Sequence, residues 1–177
     1  YRLRGISPGS AALLDVNGNE ANQRGEGYLT LPQATKLLTF EPHMHAAGVR
    51  MCMEAIWGPV VQTINCAGYN HSWVRTYNYD DDSAPLLPKG TILHVIGWFD
   101  TTPANKNVAD PRNWSGFGYR SIDQMLINLT NAVYLTDEEF KAEVAKRQEA
   151  LRLGKGEIGG CLSCSATPVP QQTADKR

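Results

Sequence analysis

Between residues 28 and 135 the apolar residues come in short runs, most of them closed by glycine, proline or asparagine before they reach helical length. That texture excludes most helical and βαβ architectures, because neither can be assembled from runs this short. The runs fall at 36–45 (broken at Pro42), 48–56, 60–65, 72–79, 91–99 and 122–135. Within 48–56, Val49, Met51, Met53 and Ala55 alternate with polar Arg50 and Glu54, the period of a strand with one face buried. Trp73, Arg75 and Tyr77 suggest the same alternation in 72–79, and 91–99 is the most sustained apolar run. The expectation is an all-β fold, an antiparallel β-sandwich of jelly-roll-like type.

The pattern changes after Leu135. Thr136 and Glu139 have the spacing of a capping box, Phe140, Val144 and Leu151 recur at helical spacing, and Gly154 is a natural stop. This predicts an amphipathic helix in 136–154, followed by an extended Gly/Pro-rich tail over 155–177. Residues 1–27, rich in Gly, Asn and Ser, read as turns linking short strands or as the end of an upstream region. The sandwich itself is placed at 28–135. A start at Tyr1-Arg2-Leu3-Arg4 suggests a mature product or a fragment.

With 177 residues, the chain suits one good-sized domain. A net charge of −1 with scattered Lys and Arg provides no footprint for nucleic acid. No apolar run approaches the roughly 20 residues of a membrane-spanning helix. Four cysteines, Cys52, Cys66, Cys161 and Cys164, suit an oxidising compartment, and their three pairings stay open. The Cys161-Leu162-Ser163-Cys164 motif lacks the following His of haem attachment and reads as a structural disulfide, local or to Cys52 or Cys66. Sequons occur at Asn70, Asn113 and Asn128. Asp80-Asp81-Asp82 has the oxygen chemistry of a Ca²⁺ loop but reads first as a solvated loop.

Histidine carries the chemistry. Of four, His43 and His45 are separated by one residue in a strand-like run, so their rings share a face while Met44 points into the core. His-x-His on a strand suits copper and zinc. His94, inside 91–99, reads as a hydrogen-bonded core residue. His71, at a loop-to-strand junction, is open to either a ligand or a structural role.

The stretch Phe40-Glu41-Pro42-His43-Met44-His45-Ala46-Ala47-Gly48 resembles the second copper domain of the copper type II, ascorbate-dependent monooxygenases. That family includes the peptidylglycine α-hydroxylating and dopamine β-monooxygenases, and the likeness is greater to bacterial relatives with Pro-His-Met-His shortly before Gly. It continues in order through Tyr69 to Trp73, Leu87-Pro88-Lys89-Gly90-Thr91, Phe99-Asp100-Thr101-Thr102, Ala104-Asn105, Asp110-Pro111 and Trp114-Ser115-Gly116-Phe117-Gly118. It ends with Ser121-Ile122-Asp123-Gln124-Met125, similar to the family's Asp-Glu-Met, and spans roughly residues 31–135. The resemblance implies one copper ion, cycling between Cu(I) and Cu(II), with His43, His45 and Met125 as its ligands. Two imidazoles and a thioether suit that metal, whereas zinc favours thiolate or carboxylate as third donor. Ala46-Ala47-Gly48 stands where bacterial relatives often have Leu-Arg-Gly, and Gln124 where the family has an acidic residue.

The family's full enzymes have two sandwich domains, and the first, with three histidines, supplies the electron. This chain has no spare histidine cluster to make it, so hydroxylation would draw on an upstream domain or an electron-donating protein. A different expectation is an accessory subunit of a larger periplasmic complex, engaged through the C-terminal helix and tail. Copper delivery or storage is a third. All three place the protein in the periplasm or outside the cell.

Overall fold

In the computed structural model, which describes residues 2–6, 9–10 and 14–152, the run at 91–99 lies between two partners. The strands in chain order are β1 (Arg2–Ile6), β2 (Gly9–Ser10), β3 (Asp15–Val16), β4 (Gln23–Thr30), β5 (Ala34–Leu37), β6 (Thr39–Phe40), β7 (Pro42–Met44) and β8 (Gly48–Trp57). They continue as β9 (Val60–Gly68), β10 (Tyr77–Asn78), β11 (Leu86–Leu87), β12 (Ile92–Phe99), β13 (Ser115–Gly116), β14 (Leu126–Asn128) and β15 (Thr130–Leu135), before the helix α1 (Asp137–Ala150). One four-stranded sheet has the order β4-β12-β8-β9 and a second has β1-β15-β5-β11; their pairings are all antiparallel.

Alternation along β8 and β12 builds the core. Met51, Met53 and Ala55 of β8, with Leu93, Val95 and Phe99 of β12, meet Leu37 of β5, Leu87 of β11 and Ala132 of β15 in one buried cluster. Each large side chain there contributes roughly 1.5–3 kcal/mol by leaving water. The intervening residues of β8 and β12 face outward, including Arg50, whose guanidinium lies 3.8 Å from the Trp98 ring centre. The all-β antiparallel sandwich read from the sequence is therefore the fold.

Cys52 and Cys66 face one another in the β8–β9 register and are bonded, which leaves neither for the tail motif. Cys161, Cys164 and the tail at 155–177 lie outside the described residues.

Three expectations need revision. The boundary at residues 27 and 28 falls inside β4, which pairs along its whole length with β12, while β1 and β2 pair with β15 and β14. Gly25 and Gly27 looked like turn residues; at Gly25 a Cβ would come 3.0 Å from the Leu14 Cδ1, so the glycine there answers to packing. The run at 72–79 pairs only at Tyr77 and Asn78, against Phe40 and Thr39. Its alternation goes instead into an exposed stack, with the Arg75 guanidinium 4.3 Å from the Trp73 ring centre.

The third concerns the helix. Its capping box at Thr136 and Glu139 is formed, but Leu151 is the C-cap and is exposed. Phe140 and Val144 pack on Ala34, Leu86 and Leu135, and the next inward position is Arg147, buried with its guanidinium on the carbonyls of Ala84 and Asp81. Lys36 reaches from β5 to Asp81 (2.5 Å) and Glu143 (3.0 Å), and Lys146 also pairs with Asp81. Hydrogen bonds from Lys36 and Lys146 lower the Asp81 carboxyl to about 2. Asp81, the middle residue of the aspartate triplet, thus anchors the helix, largely through polar contacts that apolar periodicity cannot reveal.

Candidate metal centre

The centre is built on a short pairing. β7 and β14 run antiparallel with Met44 opposite Leu126 and His43 opposite Ile127. His45 follows the end of β7 and Met125 precedes the start of β14, so the two flank the Met44–Leu126 pair at the same end. Met44 and Leu126 are fully buried in the core. By alternation His43 belongs to the other face of the pair, and the His45 ring lies beside the His43 ring. Gly48 permits this arrangement, since a Cβ there would come 2.5 Å from the Met44 Cβ. The chain turns back at once, with the Gly48 amide donating to the His45 carbonyl.

The rings of His43 and His45 stand edge to face, centres 5.5 Å apart. The Nδ1 of His45 lies 3.2 Å from the Asp123 carbonyl oxygen. A carbonyl only accepts, so Nδ1 carries the proton and Nε2 keeps its lone pair, the arrangement typical of a metal-ligating imidazole. Asp123 is held in turn by Arg120, whose guanidinium donates to both carboxylate oxygens (3.0 and 2.7 Å). Burial pushes both imidazoles below their usual range; the Glu41 charge opposes this at His43 and the Asp123 carbonyl at His45. Lowered values favour the neutral form, which is the form that binds metal. Met125 is 6% exposed, as is His45.

The loop after β9 brings a further ring to this place. His71 lies with its ring centre 6.2 Å from that of His45. The Tyr69 hydroxyl donates to the Met44 carbonyl, tying the loop to β7. Sequence reasoning had left His71 open and had not singled out Tyr69 or the Asp123 carbonyl; all three act through contacts distant in the chain.

Among the described residues, no three His, Cys, Asp or Glu side chains converge as a metal-binding group. The donor types near one another at this end of the strand pair are two imidazoles and, from Met125, a thioether. Two neutral imidazoles and a methionine sulfur fit copper, Cu(I) above all, better than zinc or a hard cation. Beside the strand pair is a cavity of about 230 Å³, lined in part by Ala46, Trp114, Asp123 and Gln124.

The remaining sequence candidates lie elsewhere. His94 is buried on the outer face of the β4-β12-β8-β9 sheet, its ring nitrogens each 3.1 Å from a carboxylate, Glu54 at Nδ1 and Glu26 at Nε2. It is hydrogen-bonded, as expected, but does not join the apolar core. Asn70 and Asn113 are exposed, whereas Asn128 is fully buried and accepts from the Glu41 amide, which closes that sequon to modification. No family model matches the chain, and no curated protein matches it significantly.

Proposed function

We propose that this chain is a mononuclear copper-binding β-sandwich domain of the copper type II monooxygenase kind, with His43, His45 and Met125 as ligands. The observation that supports the reading is the β7–β14 pairing, in which Met44 faces Leu126 so that their neighbours His45 and Met125 come to the same end of the pair, beside His43. Copper bound there would supply one-electron chemistry and O₂ activation for hydroxylation, given electrons from another domain or an electron-donating protein. The chain's own part is to hold the ligands. The Asp123 carbonyl orients the His45 ring, the Met44–Leu126 pair locks the strand register against the core, and burial favours the neutral form of both imidazoles.

The Cys52–Cys66 bond suits a periplasmic or extracellular setting. Among the described residues no helix is long and apolar enough to cross a membrane. The accessory-subunit reading draws no support from α1, whose inward face is already occupied by its own sheet.

Metal analysis of the purified protein after copper loading tests the proposal. One copper per chain is expected, lost in His43→Ala and weakened in Met125→Ala; unchanged copper in both variants refutes the ligand set. Reductant-dependent O₂ consumption by the loaded protein, above that of the apo protein, then tests hydroxylase-type activity.

A further inference from the structure

We propose that His71 is a third imidazole donor to the ion held by His43, His45 and Met125; this rests on the copper reading above. With metal–nitrogen bonds of about 2.0 Å and about 1.2 Å from nitrogen to ring centre, two imidazoles on one ion have centres at most roughly 6.4 Å apart. The His43–His45 and His45–His71 separations, 5.5 and 6.2 Å, both fall within that ceiling.

A second observation is independent of distance. The His71 Nδ1 is buried and has no hydrogen-bond partner. An orphaned buried nitrogen is costly, and structures rarely carry that cost without a reason. Coordination removes it, directly if Nδ1 binds, or by a ring turn that brings Nε2 to the ion and Nδ1 to a new partner.

The loop is built to hold the His71 backbone in place. The Tyr69 amide donates to Val49 (2.8 Å) and its hydroxyl to Met44, so the residue two before His71 is fixed to both β7 and β8. Asn70 closes the turn behind it, accepting from the Ser72 amide on its side chain and from the Trp73 amide on its carbonyl (2.9 Å each). His71 thus sits on a short pinned turn facing the pair. Because the three rings do not yet converge on one point, the His71 side chain completes the set by rotating inward as the ion binds.

Three imidazoles and one thioether hold Cu(II) better than two imidazoles and one thioether, while Cu(I) keeps its soft donor in either case. Loss of His71 should therefore weaken Cu(II) more than Cu(I). A selective tenfold loss of Cu(II) corresponds to a rise of about 59 mV in the copper potential.

The test is to load the full chain with one equivalent of Cu(II) and count coordinated imidazoles by pulsed electron paramagnetic resonance and X-ray absorption. His71→Gln, Tyr69→Phe and His43→Ala are measured in parallel. Three imidazoles in the wild type, two in His71→Gln with about tenfold weaker Cu(II), and an altered spectrum in Tyr69→Phe are the expected results. Two imidazoles in the wild type, with copper lost in His43→Ala but a spectrum unchanged in His71→Gln, overturn the role of His71 alone. A wild type that takes up no stoichiometric copper, or copper indifferent to His43→Ala, overturns the copper reading and this inference with it.

Discussion

His45 and His94 are almost equally buried, at 6% and 7% exposed, yet their surroundings use the imidazole in opposite ways. Both His94 nitrogens are met by carboxylates, and the Tyr28 ring stacks on it with centres 4.3 Å apart and planes 3° from parallel. That ring is fully committed to holding β4, β12 and β8 together. His45 spends one nitrogen on the Asp123 carbonyl and, among the described residues, meets no protein donor at the other. Two more imidazoles neighbour it, and the nearby Asp123 carboxylate is engaged by Arg120. Burial alone therefore does not separate a ligand from a strut. What separates them is whether a lone pair is left over, and what faces it.

The largest effect should come from breaking the ligand side. His43→Ala and His45→Ala are each expected to weaken copper by at least about 100-fold, some 2.7 kcal/mol, measured by competition with a calibrated chelator. The same assay on His94→Ala should show unchanged copper. That variant should instead lose about 1–3 kcal/mol of folding stability in urea titration, because Glu26 and Glu54 lose their shared partner. A His94 variant that loses copper, or a stable one, would erase the distinction.

Next in size is Met125→Leu, which keeps the volume and removes the sulfur. Cu(I) affinity should fall about tenfold with stability nearly unchanged, since Leu–Met swaps usually cost under ~1.5 kcal/mol.

The smallest effect concerns acid. The Tyr28 hydroxyl, then His94 and Arg24, hold the Glu26 carboxyl below its ordinary 4.5, against an opposing push from burial. A carboxyl depressed in the folded state stabilises the fold above its unfolded value, and that contribution is lost as pH falls through the folded value. Thermal melts of the wild type should therefore drop below about pH 4.5 more steeply than those of Glu26→Gln. Parallel acid limbs would show that the clamp contributes nothing.

Much of this contrast was legible in the chain. The alternation at 48–56 and 91–99, with turn residues between short runs, led directly to a sandwich, and the His-x-His spacing placed two rings close together. The capping box was readable at Thr136 because its partners are three residues apart. The helix's inward face was not, since Arg147 and Lys36 are buried by polar contacts rather than by apolar pattern.

By itself, then, the sequence determined the local periods: which residues alternate, that His43 and His45 lie close together, and where the helix starts. Tertiary structure decided the rest of the site. The proposed ligand set is a matter of distances, and what brings residues 43, 45, 71 and 125 to one end of the molecule's short strand pair is the β7–β14 pairing and the Tyr69 tie to Met44. Those contacts join segments 25 to more than 80 residues apart, beyond the reach of any local pattern.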